Sequence, residues 1–176
     1  LLEQMPPFMS GGDMISSVHL RHTTYNEIPH KFEAGTPAVS SAVGLGAAVD
    51  YLTALGRENV AAHEEALTAY ALEVLPREVP GIRIHGPRDA AERAGIVTFT
   101  LPEAHAHDVA TLLDREAVAI RAGHHCTQPL HERLGETATG RASFNVYSST
   151  DDIDRLAAGL RGVQRIFGRS PAAAGA

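Results

Sequence analysis

The chain has 176 residues, with 15 lysines and arginines against 21 aspartates and glutamates, a net charge of -6 and a pI near 5.9. That acidic balance argues against non-specific nucleic-acid binding, which needs a basic face to displace phosphate counterions, and no apolar run approaches the roughly 18 residues of a membrane span. At 44% hydrophobic and 20% charged residues the composition is globular, long enough for one domain and part of another; the single cysteine, Cys126, excludes an internal disulfide and suits a reducing, cytoplasmic setting.

The opening Leu1-Leu2-Glu3-Gln4 has neither an initiator methionine nor the basic-then-apolar pattern of a secretory signal, so the chain reads as a piece of a longer one. Residues 1 to 35 contain Pro6, Pro7, Gly11, Gly12 and Pro29 and predict extended segments and turns. Thr36 reads as an N-cap with Pro37 at the first helical position, opening a helix to about Leu55 that Gly56 ends. Apolar all round, that helix is expected to be buried. A second helix is expected over 58 to 76, where Val60, Leu67, Tyr70, Ala71, Val74 and Leu75 recur near helical spacing and Glu64, Glu65 and Glu73 are left for solvent.

Ile82 to His85 and Gly95 to Leu101 predict strands on either side of a polar loop, Arg88 to Arg93. His105-Ala106-His107-Asp108 is a capping segment for a helix over His107 to Ala117. Val118 to Arg121 then predicts a strand leading into the cysteine loop, and Arg141 to Tyr147 another. Thr150 is the expected cap of the last helix, with an apolar stripe of Ile153, Leu156, Ala157, Leu160, Val163 and Phe167 and with Asp151 and Asp152 complementing its N-terminus. Ser170 to Ala176 predicts a flexible tail. Helices and short strands alternating over 58 to 169 predict an α+β or mixed-sheet domain, which the helix over 58 to 76 joins to the preceding segment.

The chemistry concentrates in Arg121-Ala122-Gly123-His124-His125-Cys126-Thr127-Gln128-Pro129-Leu130. A lone cysteine is ordinarily a small buried hydrophobe. Here Gly123 and Pro129 bracket it among polar neighbours, the setting of a surface loop. Thiolate is the attacking form, and imidazolium or guanidinium nearby favours it, so Cys126 is a candidate nucleophile. His124 and His125 could tune the thiol or shuttle protons, or could be loop residues whose backbones matter more than their rings. A metal site of His124, His125 and Cys126 is disfavoured, because adjacent residues diverge and zinc ligands are normally spaced.

Arg141 opens a strand in an otherwise apolar run, and a guanidinium holds a carboxylate with two parallel hydrogen bonds. Gly35-Thr36-Pro37 sets a hydroxyl at a helix N-terminus, which favours an anion such as phosphate; an ordinary N-cap has the same pattern. Lys31 is the only lysine. No G-x-S-x-G occurs, and Gly44-Leu45-Gly46 lacks the preceding strand and third glycine of a dinucleotide site.

The run R-A-G-H-H-C-T-Q-P-L, with Thr139-Gly140-Arg141-Ala142-Ser143-Phe144, Phe32-Glu33-Ala34-Gly35-Thr36-Pro37 and Met5-Pro6-Pro7-Phe8 before Gly11-Gly12, resembles the group II (SufS/CsdA-type) cysteine desulfurases of the class-V aminotransferase superfamily, from the first residues to about Gly168. The resemblance implies an α/β, aspartate-aminotransferase-like (fold type I) architecture. Residues 1–57 would close the large domain that binds pyridoxal 5'-phosphate, 58–169 would form the small C-terminal domain with the active-cysteine loop, and 170–176 a tail. It implies Cys126 as the sulfur-accepting nucleophile, Arg141 on the substrate carboxylate, Arg121 on the thiolate or substrate, and Gly35 and Thr36 on the cofactor phosphate across a homodimer interface. The Schiff-base lysine would lie upstream in a Ser-His-Lys segment, leaving Lys31 a structural or surface cation and the isolated chain inactive. Partners implied are L-cysteine, with L-selenocysteine as a second substrate, and a SufE- or SufU-like sulfur acceptor in iron-sulfur cluster assembly; His107 would face that acceptor, where a histidine can join the partner's zinc. One departure is Gly140, where relatives are expected to carry alanine. A non-catalytic persulfide carrier lacking its own cofactor lysine is the alternative.

Overall fold

A computed structural model describes residues 1–168, which divide into two compact units meeting at Ala54 and Leu55. In the first unit, β1 (Ile15–Val18) and β2 (Thr23–Tyr25) form an antiparallel ribbon that pairs Ile15 with Tyr25 and Val18 with Thr23. Met14, immediately before β1, is fully buried. A single 3-10 turn, His30–Phe32, carries Lys31, whose Nζ donates to the carbonyls of Glu3 at 3.0 Å and Leu2 at 3.4 Å and so ties the N-terminal turn down.

The helix α1 spans Val39–Leu55. It opens two residues later than Thr36-Pro37 suggested, because the Val39 N–H is drawn back onto the Pro37 carbonyl and the first helical bond runs from Ala42 to Ala38. Thr36 therefore precedes the helix as a loop residue instead of capping it. The expected burial of α1 is not found: none of its residues is buried, and Val43 and Leu45 are 69% and 67% exposed. Apolarity on every side states what a helix prefers, and the first unit holds no layer to satisfy it.

The second unit opens with α2 (Arg57–Glu78), started by Gly56 at φ +86°, a left-handed angle that glycine takes without a Cβ penalty. Four antiparallel strands follow, β3 (Arg83–His85), β4 (Ile96–Thr100), β5 (Arg121–Gly123) and β6 (Thr139–Ser143), in spatial order β3-β4-β6-β5. Between them lie α3 (Ala106–Arg115), with His105 as N-cap, and α4 (Gln128–Leu134), and α5 (Thr150–Phe167) closes the unit. The core forms where α2, α3 and α5 meet the sheet: Leu67, Ala71, Val74 and Leu75 from α2, Val97 and Phe99 from β4, Leu113 from α3, and Ile153, Leu156, Leu160 and Val163 from α5. Each large aliphatic side chain buried there is worth about 1.5 to 3 kcal/mol. No single described helix is long and apolar enough to cross a membrane.

Departures from the sequence expectation are local. The strand expected over Val118 to Arg121 begins only at Arg121, where pairing with Arg141 starts. The strand expected over Arg141 to Tyr147 is Thr139–Ser143; beyond it the Phe144 N–H turns to the Gly95 carbonyl and a turn from Asn145 to Ser148 leaves the ladder. The polar loop at Arg88 to Arg93 contains a 3-10 turn, Ala90–Glu92, capped by the Asp89 carboxylate, which accepts from the Ala91 N–H at 3.0 Å. Ser149, not Thr150, caps α5, and the Asp152 carboxylate accepts from the Ser149 N–H at 2.9 Å. Phe167 is 40% exposed at the end of the stripe. Helix α4 was not foreseen, and the tail expected over Ser170 to Ala176 lies outside the described residues.

Gly140 has a packing reason. A Cβ there would stand 2.9 Å from Cζ of Phe99 and 3.2 Å from Cδ1 of Ile120, and Phe99 is 1% exposed, with no room to swing aside. Gly140→Ala is expected to lower stability by about 1 to 3 kcal/mol through overpacking, and the double variant Gly140→Ala/Phe99→Leu to regain part of that loss, as read by urea denaturation. Equal midpoints for Gly140→Ala and the parent would refute the argument.

Candidate active site

The cysteine loop begins where β5 ends. Gly123 takes φ +128°, and after His124 two consecutive non-glycine residues, His125 at φ +51° and Cys126 at φ +60°, lie in the left-handed region. Each such residue costs about 1 to 2 kcal/mol, so the surroundings must hold both. They do so from each side. The Thr127 N–H and hydroxyl both donate to the His124 carbonyl at 2.8 Å, closing the turn, and α4 starts one residue later with Pro129 in its first turn. Cys126 is exposed, with a free thiol. A packing role for this cysteine is thus excluded by its placement.

Behind the loop, β5 and β6 set Arg121 directly opposite Arg141, and Thr98 of β4 lies opposite Arg141 on its other side. Like charges facing each other across strands repel. Among the described residues neither arginine has an ion-pair partner, and the buried Nε of half-buried Arg141 has no hydrogen-bond acceptor. A guanidinium without an ion-pair partner is suited to take an anion, and its planar fork pairs with a carboxylate through two parallel hydrogen bonds.

His125 is half-buried, and burial, reinforced by Arg141 and more weakly by His131 and Arg121, pushes its imidazole below the usual histidine range despite its bond to the Thr139 carbonyl. The ring is therefore neutral at pH 7 and acts as a hydrogen-bonding group. His124 is exposed, edge-on to His131 at 5.7 Å between ring centroids. His107, the second residue of α3, is exposed and reaches the base of the loop: a Cβ at Gly123 would stand 4.0 Å from its Cε1. His124, His125 and Cys126 thus lie on the loop that leaves β5, His107 reaches the base of that loop at Gly123, and Arg121 and Arg141 face each other across β5 and β6. Among the described residues no three His, Cys, Asp or Glu groups are placed to hold a metal ion.

Two residues that sequence reasoning passed over also belong here. Thr139 and His131 are buried, and the Thr139 hydroxyl lies 2.9 Å from Nε2 of His125 and 3.1 Å from Nε2 of His131. The available signal was Pro129 in a first turn and Gly135 as a stop, enough to mark a short helix that brings His131 back toward the loop.

The other expected residues lie in the first unit. Gly35 takes φ +95° with open space where a Cβ would be, its N–H donates to the Gly12 carbonyl at 2.9 Å, and Thr36 is exposed. The 17-residue α1 begins three residues after Thr36, with no acidic side chain in its first turn. An exposed hydroxyl before an acid-free helix N-terminus fits a phosphate group. Lys31 does not serve as a free amine, since Nζ is held by two carbonyls and lies 5.6 Å over the Phe32 ring.

With this geometry in view, likeness to known proteins is informative. A family model described as aminotransferase class-V matches residues 1–156. A probable cysteine desulfurase of Streptomyces coelicolor is 52% identical over 168 residues, covering 96% of this chain and 40% of the relative, and probable cysteine desulfurase 2 of Mycobacterium leprae is 49% identical over 169 residues with the same shares. The crystal structure of the Escherichia coli cysteine desulfurase CsdA, in its S-sulfonic acid form, is 32% identical with a TM-score of 0.78 over 93% of this chain and 40% of that one. A Thermococcus onnurineus cysteine desulfurase without ligand is 35% identical with a TM-score of 0.77. The chain spans about two fifths of the length of these relatives. The α/β fold accordingly matches part of the fold type I architecture, as expected, and the chain belongs to the class-V aminotransferase family.

Proposed function

We propose that the chain is the sulfur-accepting part of a cysteine desulfurase, which converts L-cysteine to L-alanine and leaves the sulfur as a persulfide on Cys126. The observation that carries this reading is an exposed thiol on a left-handed turn in the loop that leaves β5, the strand on which Arg121 stands opposite Arg141. Kinship with cysteine desulfurases supports it. Pyridoxal phosphate, when bound, supplies the electron sink that makes the substrate's Cα proton acidic. Gly35 and Thr36 would hold its phosphate, and the Schiff-base lysine is not Lys31.

The chain's own residues do the rest. Arg141, with Arg121 opposite, takes the substrate carboxylate and fixes the amino acid's orientation. The Cys126 thiolate attacks the substrate sulfur: a bond forms between the two sulfurs, the substrate Cβ–S bond breaks, and carbon receives the electron pair and a proton to become the methyl group of alanine. No outside oxidant or reductant is needed. Exposure of Cys126 then lets a SufE- or SufU-like acceptor reach the persulfide for iron-sulfur cluster assembly, with His107 beside the loop as its contact. A homodimer, residues 1–57 and 58–169 as parts of two domains, L-selenocysteine as a second substrate and a cytoplasmic setting complete the proposal.

The test joins the chain to an upstream region carrying the lysine and compares it with the chain alone, each given pyridoxal phosphate and L-cysteine. Alanine and a one-sulfur mass gain on Cys126 are expected only from the joined form. Sulfur uptake by the chain from a donor persulfide, with no alanine from the joined form, would establish a carrier instead.

A further inference from the structure

The loop that carries Cys126 is strained at two consecutive residues, and what holds it is a directional chain of hydrogen bonds under the loop. Nε2 of His125 lies 3.1 Å from the Thr139 carbonyl and 2.9 Å from the Thr139 hydroxyl. A carbonyl only accepts, so Nε2 of His125 carries the proton and Nδ1 is bare. This agrees with Nδ1 being buried without a partner, since a bare lone pair is less costly to bury than an N–H. On the other side, Nδ1 of His131 lies 3.1 Å from the Thr127 carbonyl, so in the neutral ring Nδ1 is protonated and Nε2 is an acceptor. The Thr139 hydroxyl, between the two rings, accepts from His125 and donates to Nε2 of His131 at 3.1 Å. The sequence runs His125 to Thr139 to His131 to Thr127, and its two ends are the residues immediately before and after Cys126.

We infer that Thr139 and His131 are positioning residues for the Cys126 loop: they lock the neighbours of the thiol from beneath through one hydrogen-bond chain, with His125 as the Nε2–H tautomer and His131 as the less common Nδ1–H tautomer. This deepens the desulfurase reading and rests on it for its catalytic consequence, whereas the tautomers do not depend on that reading. The residues beneath the loop suit the task. Thr139 is fully buried on β6, a strand paired on both sides, and His131 is 3% exposed on α4, so both anchors are fixed by packing while the thiol stays in solvent. Neither can touch the substrate from there; their influence passes through the loop backbone.

Two measurements decide the matter. Long-range nitrogen-proton NMR at pH 8 on the full chain with labelled histidine, assigned with His125→Asn and His131→Asn, is expected to find one Nε2–H and one Nδ1–H ring respectively. An Nε2–H tautomer at His131 would overturn the chain. In the joined, lysine-bearing form, Thr139→Val is expected to lower kcat about ten- to a hundredfold with KM for L-cysteine unchanged, because the thiol and not the substrate is misplaced, and Thr139→Ser to restore it. Parental kcat in Thr139→Val, or no rescue by serine, would refute the positioning role. Should the joined parent form no persulfide, the desulfurase reading falls and the NMR result still judges the hydrogen-bond chain.

Discussion

Cys126→Ala in the joined form is expected to abolish the one-sulfur mass gain and to reduce alanine release from L-cysteine by at least about 10³-fold in kcat, the scale on which removing a covalent nucleophile acts. The fold should be indifferent. The thiol is exposed, so its loss empties no cavity, and surface replacements of this kind stay within about 0.5 kcal/mol. The backbone makes the comparison sharper. At φ +60° any side chain is strained, so Cys126→Gly should be more stable than the parent by about 1 kcal/mol, visible as a higher urea midpoint, and equally unable to form the persulfide. A variant that gains stability while losing all sulfur transfer would place this residue among those kept for chemistry at a structural cost. Alanine release that survives both replacements would end the nucleophile assignment.

What the sequence made legible follows from how local each signal is. Helices α2, α3 and α5 were readable because apolar spacing and caps are written into neighbouring residues, and the strands over 82 to 85 and 95 to 101 because β-branched and aromatic residues cluster there. The ends of β5 and β6 were not, since they depend on where Arg121 finds Arg141 and where Phe144 turns to Gly95, and those partners are distant in sequence. Burial of α1 was misjudged for a related reason: composition gives the preference of a helix, while a packing layer must come from elsewhere. The candidate cysteine and the two arginines stood out because unusual residue types occur together. The supports beneath them, Thr139 and His131, did not, because a threonine in a strand and a histidine in a seven-residue helix are ordinary until the fold aligns their polar atoms.

Arg141→Ala is expected to lower kcat/KM for L-cysteine about 30- to 5,000-fold, mostly through KM, the effect of deleting one partner of a partly buried guanidinium-carboxylate pair worth about 2 to 5 kcal/mol. The size rests on the unpartnered Nε and on Arg121 across the ladder: with no carboxylate among the described residues to neutralise them, the two cations have the whole of their interaction available for the substrate. Arg141→Lys should recover only part of the loss, since an ammonium keeps the charge and gives up the two-pronged fork. Stability of the unliganded protein should move the other way. Removing one of two facing like charges relieves a repulsion of a few tenths to about 1 kcal/mol, so Arg141→Ala should unfold at an equal or higher urea concentration than the parent. L-cysteinamide separates carboxylate recognition from a general structural role. Its amide cannot pair with a guanidinium as a carboxylate does, so parent and Arg141→Ala should process it at similar kcat/KM, and the penalty of the substitution should appear with L-cysteine alone. An equal loss with both substrates would show that Arg141 shapes the strand and not the binding site.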